Sequence, residues 1–451
     1  MSVFETTDAF LRELARIMLC GPWTVDAVHK RTLKAIRAKP KPRWVRPLAV
    51  RVCDRFEPFP PPRFRELLGY LKSDRRLYDA LDKFVDRHGS LPELVAPAPQ
   101  MTHSAGPFAE CDLPAITTPG QLADWLGITH PELAWFSDCR GWERSRATHM
   151  QRHYRYRWFR KPRGGLRLIE MPRTRLRLIQ RRLYEEILSR LPLHPAAHGF
   201  RPRRSIVTAL QPHVGRRVVL HMDINEFFPS IAPRRINAMF RTAGFPEDVA
   251  KLLTGLCTNR TPQFVLDREL TRIDTAHRIM RARYSDPHVP QGAPTSPALA
   301  NLMARKLDAR LHGLAFACDA TYTRYADDLI FSGEAEFCRC LKRFRIQVCT
   351  ILIEEGFQVH SRKTRVMYSS QRQQVAGLVL NERLNTTRAA FDELKAILHN
   401  CSRFGPKTQN LAGHADFRAH LAGRVAWHTT VNPLRGSRLK SLFDGIEWSA
   451  D

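Results

Sequence analysis

Three carboxylates stand where phosphoryl-transfer chemistry could be done. Asp223 closes the apolar run Val218-Val219-Leu220-His221-Met222. Asp327 and Asp328 lie in Tyr325-Ala326-Asp327-Asp328, between Thr321–Arg324 and Leu329–Phe331. The first pattern reads as a strand over 216–224, because Val and Leu favour a pleated, half-buried surface. The second reads as a hairpin: apolar strand, acidic turn, apolar strand. An isolated Asp-Asp pair is most often a solvated turn. Inside an apolar frame, two adjacent carboxylates are costly unless cations neutralise them. With a third Asp on a neighbouring strand they could hold two divalent ions roughly 3.5–4 Å apart, a geometry suited to in-line phosphoryl transfer. Hard oxygen ligands favour Mg²⁺.

Composition points to the same chemistry. The chain has 451 residues and a formal net charge of +28. Such a surplus implies a polyanionic partner, since Lys and Arg displace counterions from phosphates; it favours nucleic acid over an anionic membrane. Ten cysteines are scattered without a Cys-x-x-Cys pair. That pattern suits reduced thiols in the cytoplasm better than a zinc site or a disulfide framework. No run of 18 apolar residues suggests a transmembrane helix. The start, Met1 to Glu5, lacks the basic-then-apolar order of a secretory signal.

Several elements must position the carboxylates. Residues 1–92 read as a helical, basic N-terminal extension: Ala9–Met18 and Phe64–Phe84 carry apolar residues at helical spacing, with Pro-rich stretches between them. Residues 93–114 read as a linker rich in Pro and Ala. Order resumes near Thr117 and Thr118, where a capped helix with an early Pro begins. Residues 151–180 hold ten Arg or Lys against one Glu. Gly164-Gly165 divides Tyr154–Lys161 from Leu166–Glu170, which predicts a basic hairpin. A helix is expected over Thr174–Leu191, stopped by Pro192. Basic helices are expected over Phe391–Asn400 and Phe417–Trp427.

Taken in order, the motifs resemble those of reverse transcriptases. Tyr325-Ala326-Asp327-Asp328 is similar to the family's catalytic signature, and Asp223 to Phe228 to its first metal motif. Gln291-Gly292-Ala293-Pro294-Thr295-Ser296-Pro297 resembles its template- and nucleotide-contacting segment, and His198-Gly199-Phe200-Arg201 the segment before the first metal motif. The resemblance covers about residues 115–451. Within the family the bacterial retron type is the nearest match, through Phe227-Phe228-Pro229-Ser230-Ile231 and Val375-Ala376-Gly377. Two departures stand out: Ala376 replaces a Thr, and Arg241 follows Asn237-Ala238 where a His would stand.

The resemblance implies an α+β right-hand polymerase, with fingers and palm over 115–380 and an RNA-recognising thumb over 381–451. It implies RNA-directed DNA synthesis with catalytic Asp223, Asp327 and Asp328, and a metal set of Asp223, Ile224, Asp327 and Asp328 for two Mg²⁺ ions. Phe228 would exclude a 2′-hydroxyl and so select dNTPs, with Gln291 near the same pocket. Lys161, Arg163 and Arg167 would meet the triphosphate, and Lys363 the leaving pyrophosphate. His198 and His221 read as structural. The implied partners are a structured noncoding RNA serving as template and primer, the RNA–DNA hybrid product and an effector protein in anti-phage defence, with no membrane. Rival readings are a group II intron-like or diversity-generating enzyme and a catalytically silent RNA-binding scaffold.

Overall fold

The computed structural model describes residues 3–56, 61–95, 97–102, 106–139, 141, 152–161, 165–270 and 275–448. They form two compact units: residues up to Pro192 with Phe228–Met303, and Leu193–Phe227 with Ala304 onward.

The first unit begins with five helices, Val3–Leu19, Val25–Ala35, Val45–Arg55, Phe64–Ser73 and Arg75–His88. Their apolar faces meet in one core that includes Leu11, Leu14, Val28, Leu48, Val52, Leu67 and Leu71. Local chemistry sets the ends of the fifth helix. The Asp74 carboxylate accepts the Leu77 N–H, and Gly89 takes the left-handed conformation that stops the helix. Strand Glu93–Leu94 pairs antiparallel with Ile36–Arg37, tying the start of the 93–114 segment to these helices.

Further along lies an antiparallel hairpin, Tyr154–Arg160 with Leu166–Pro172, in which Arg167 faces Phe159. Its turn residues 162–164 lie outside the described residues. One face, through Leu168, packs on Val265, Leu266, Leu270 and Tyr284. The helix expected to reach Leu191 runs only from Thr174 to Glu186. At Ile187 the backbone leaves the helical region, and a short 3₁₀ turn, Leu188–Arg190, carries the chain on.

The second unit is built on a four-stranded antiparallel sheet. Its spatial order is Ala320–Tyr325, Asp328–Gly333, Val218–Asp223, Arg365–Tyr368. Val218, Val219, Leu220 and Met222 of the Val218–Asp223 strand are all buried, so that strand reads as a continuous apolar run. Helices Arg305–Ala317 and Ala335–Glu354 pack on the sheet. Three more, Arg388–Phe404, Phe417–Val431 and Pro433–Asp444, share a core of Leu394, Leu398, Leu421, Val425 and Leu439. The last was not legible, because Gly436 breaks its helical pattern. That glycine lets two helices cross closely: a Cβ there would stand 2.3 Å from Thr429 Cα. Among the described residues no helix is long and apolar enough to cross a membrane.

His213 is fully buried and bonds Ser332 Oγ at 2.6 Å and Thr323 Oγ1 at 2.8 Å. Burial, then Arg216 and His198, lowers its pKa to about 3. The folded state therefore keeps it neutral while the unfolded chain takes up a proton below its ordinary value. Its contribution to stability is complete above pH ~6.5 and is lost as pH falls, at about 1.4 kcal/mol per unit. Urea unfolding midpoints are expected to fall between pH 7 and pH 5, and to fall less steeply in His213→Asn. An equal slope in that variant would remove His213 as the cause.

Candidate active site

The candidate catalytic carboxylates come together in the second unit because the sheet register brings them there. Asp223 ends its strand directly opposite Asp328, the first residue of the neighbouring strand. The Ile224 N–H donates to the Asp327 carbonyl at 2.9 Å, and the His360 N–H to the Asp223 carbonyl at 2.8 Å. Backbone bonds on both sides thus hold the end of the Asp223 strand. Ala326, just before the carboxylate pair, has φ +56°, a left-handed conformation uncommon outside glycine.

That turn is braced from beneath. Arg324 is fully buried and bonds both oxygens of buried Asp308, at 2.7 Å each. Its remaining Nη1 donates to the Ala326 carbonyl at 2.9 Å. Desolvation alone would weaken such a cation, but Asp308 outweighs it and holds the guanidinium firmly charged. From the side, the His198 N–H donates to the Arg324 carbonyl and the Arg324 N–H to the Ala196 carbonyl. Gly199 then approaches so closely that a Cβ would stand 2.5 Å from Ala326 N.

Charge at the site is unbalanced toward the negative. Burial, then repulsion from Asp328 and Asp223, raises the Asp327 pKa to about 6. Two side chains answer the neighbouring carboxylates. Lys363, on the short turn Ser361–Lys363, places Nζ 3.0 and 2.8 Å from the two Asp223 oxygens. His221 Nε2 lies 2.6 Å from Asp328 Oδ1. His221 was expected to be structural, yet it touches a candidate catalytic group. The signal was present in the strand period: residue 221 shares a face with residue 223, and diagonal neighbours on paired strands interact. His198 is occupied structurally, with Nδ1 2.8 Å from Thr208 Oγ1.

Among the described residues no three His, Cys, Asp or Glu side chains converge into a ready metal cage. Lys363 and His221 instead engage Asp223 and Asp328. The donor set still fits a hard divalent cation. Its side-chain donors are all carboxylates, Asp223 and Asp328 are adjacent in register, and burial with two like charges beside it raises Asp327, a cost that a cation would offset.

The first unit holds the other candidate residues. Arg167 is exposed on the hairpin strand Leu166–Pro172, and half-buried Lys161 donates its N–H to the Gly165 carbonyl at 2.9 Å. Arg163 lies outside the described residues. The Gln291 segment is strapped to the hairpin: the Glu170 N–H donates to the Gln291 carbonyl at 2.8 Å. Gly292 has φ +127°, and a Cβ on it would press on the Glu170 carbonyl at 3.0 Å. Glu170 itself is buried and accepts from Asn259, Thr261 and His288 at 2.8–2.9 Å. Burial alone would keep His288 neutral; Glu170 prevails and raises its pKa. Phe228 is half-buried, and its carbonyl accepts the Ile231 N–H at 3.1 Å.

Residues 159–387 match the reverse transcriptase (RNA-dependent DNA polymerase) family, which defines the class. Two similar proteins from Myxococcus xanthus narrow it. The retron Mx65 reverse transcriptase is 38% identical over 333 residues, covering 74% of this chain and 72% of its own length. The retron Mx162 reverse transcriptase is 36% identical over 343 residues, covering 73% and 67%. The retron Ec86 reverse transcriptase of Escherichia coli is 29% identical over 299 residues, covering 65% and 82%. The chain therefore belongs to the reverse transcriptase family, as a bacterial retron-type member and an RNA-directed DNA polymerase. The mixed helix and sheet is that of a right-hand polymerase.

Proposed function

We propose that the enzyme copies a cognate structured noncoding RNA into DNA, using two Mg²⁺ ions held by Asp223, Ile224, Asp327 and Asp328. The observation that carries this reading is the register that sets Asp223 opposite Asp328, beside an Asp327 whose pKa burial and its two neighbours raise. When bound, the ions would supply the charge that activates an attacking oxygen and stabilises a leaving one. The chain's own residues do the rest. Lys363 neutralises Asp223 in their absence and would then be freed for the pyrophosphate. Arg324, Asp308 and Gly199 hold the acidic turn in place. Arg167, Lys161 and Arg163 would meet the triphosphate, and Gln291 the nucleotide beside them.

In this reading residues 115–380 are fingers and palm, 381–451 the thumb that chooses the RNA, 1–92 an N-terminal helical extension and 93–114 a linker. The likeness to retron enzymes supports a template RNA that also primes the copy, an RNA-linked single-stranded DNA and an RNA–DNA hybrid as product. It also supports a cytoplasmic role in anti-phage defence with an effector protein. Extension of an annealed primer on RNA, with dNTPs and Mg²⁺, tests the polymerase. Replacing that template with an unrelated RNA tests cognate choice, and equal rates on both would overturn that part of the reading.

Sugar selection is assigned to Phe228, five residues after Asp223. Phe228→Val is expected to raise rNTP use relative to dNTP by roughly one to two powers of ten, as the clash with the 2′-hydroxyl is relieved. An unchanged ratio in single-nucleotide incorporation would leave Phe228 as packing only.

A further inference from the structure

The departure at Arg241 has a structural counterpart. Its guanidinium is buried and donates to the carbonyls of Pro61 and of Pro62, the latter at 2.9 Å. Nearby, the Phe64 N–H donates to Glu247 Oε2 at 2.9 Å. Pro61 and Pro62 lead into helix Phe64–Ser73 of the five-helix module, and Phe64 begins it. A buried guanidinium is costly without acceptors, and here the N-terminal module supplies them. The module also has its own core. It is thus a folded body docked on helices Pro233–Thr242 and Glu247–Cys257, not a loose tail.

One stretch of that body is strongly basic. Residues 27–53 contain Lys30, Arg31, Lys34, Arg37, Lys39, Lys41, Arg43, Arg46 and Arg51, and no Asp or Glu. Some of these serve the fold. Arg31 donates to the Met18 and Pro22 carbonyls, and Arg51 pairs with Asp74. Lys41 donates to the Leu33 and Ile36 carbonyls, which draws the loop after residue 37 back onto the end of helix Val25–Ala35. Lys30, Lys34, Lys39 and Arg43 are exposed and make no ion pair among the described residues. Lys30 and Lys34 are four apart on one helix, a like-charge spacing that destabilises a helix unless an anion meets it.

We propose that the N-terminal module is a fixed face of the polymerase that binds RNA backbone, with Lys30, Lys34, Lys39 and Arg43 meeting phosphates of the structured RNA outside the stretch being copied. The proposal rests on the reading that the substrate is a structured RNA. RNA is favoured over a lipid surface because a membrane-seated element carries exposed apolar anchors beside its cations. The large apolar side chains this module exposes are Val50 and Val95 alone, among the described residues.

The test uses the full chain and four probes: an RNA template annealed to a short primer, the same template carrying a flanking RNA hairpin, an unrelated RNA carrying a hairpin, and phosphatidylserine vesicles. The variant Lys30→Gln/Lys34→Gln/Lys39→Gln/Arg43→Gln is compared with Arg75→Gln/Arg76→Gln/Lys83→Gln/Arg87→Gln. The second set removes equal charge from exposed positions on another helix of the same module. For the hairpin probe, the first variant is expected to bind at least tenfold more weakly at 0.1 M KCl. Its slope of log affinity against log salt should flatten by about 3, as four phosphate contacts predict. The second variant should leave both nearly unchanged, and neither should alter the rate of extension at saturating short probe. Equal losses in both variants would reduce the effect to bulk charge and overturn the proposal. So would unchanged hairpin binding in the first variant, or loss only of binding to phosphatidylserine vesicles. Indifference of the wild type to RNA identity, with the slope difference intact, would overturn the cognate-RNA reading and leave the basic face standing.

Discussion

Protein carrying Asp327→Asn and Asp328→Asn together is expected to extend no primer, a loss on the order of 10³-fold or more, while binding RNA as before. Asp327 lies in the turn between two strands and Asp328 opens the second of them, and the basic surface proposed to meet RNA is untouched. The same variant should be more heat-stable than the wild type in EDTA. In the folded state Asp327 ionises only near pH 6, against 3.8 as its ordinary value, because burial and then Asp328 and Asp223 oppose its charge. A raised carboxyl pKa costs stability progressively as pH climbs from 3.8 to about 6 and in full above that, roughly 3 kcal/mol for this shift, and Asn removes that cost. Adding Mg²⁺ should then raise the melting temperature of the wild type and leave that of the variant unmoved. Polymerase activity in the variant would sink the catalytic assignment. A wild-type melting temperature indifferent to Mg²⁺ would sink the metal assignment alone.

Gly199→Ala is expected to lower the rate of primer extension on the order of 10²-fold or more, though residue 199 is not one of the three carboxylates. The added Cβ would meet Ala326 N at 2.5 Å, Ala326 Cα at 3.2 Å and the Tyr325 carbonyl carbon at 3.3 Å. All three are backbone atoms and cannot swing aside. The acidic turn must move instead, and a displacement of about 1 Å at a catalytic group is enough for such a loss. Gly69→Ala is the control. That glycine is helical with open space around it, so Ala should stabilise by up to about 1 kcal/mol and leave activity alone. Single-turnover extension and RNA binding, measured side by side, check both. A near-normal rate in Gly199→Ala would mean that the turn can yield without cost.

Much of this was legible because the signals are local. The apolar run ending at Asp223 is a strand, and of the acidic pair Asp327 sits in the turn between two strands and Asp328 opens the second. The two strands expected on either side of Gly164-Gly165 form, and the Thr118 cap followed by Pro119 is made by the residues that predicted it. The end of the helix at Glu186 and the glycine-bearing helix Pro433–Asp444 were less legible. The first depends on how one residue turns the backbone, and the second on a neighbour that accepts close contact.

The sequence by itself determined which atoms could do chemistry: three carboxylates in an apolar frame, a basic chain around them and motifs in polymerase order. The tertiary structure decided what holds them. Lys363 meets Asp223 across 140 positions of chain, and His221 meets Asp328 across 107. Arg324 takes Asp308 as its buried partner, and Gly199 fits against Ala326. Apart from the face that His221 shares with Asp223, none of these pairings has a spacing rule, since strand register and close backbone approach arise only when distant segments pack. The composition of residues 27–53 already carried the charge of the N-terminal module; its seat on Arg241 required the fold.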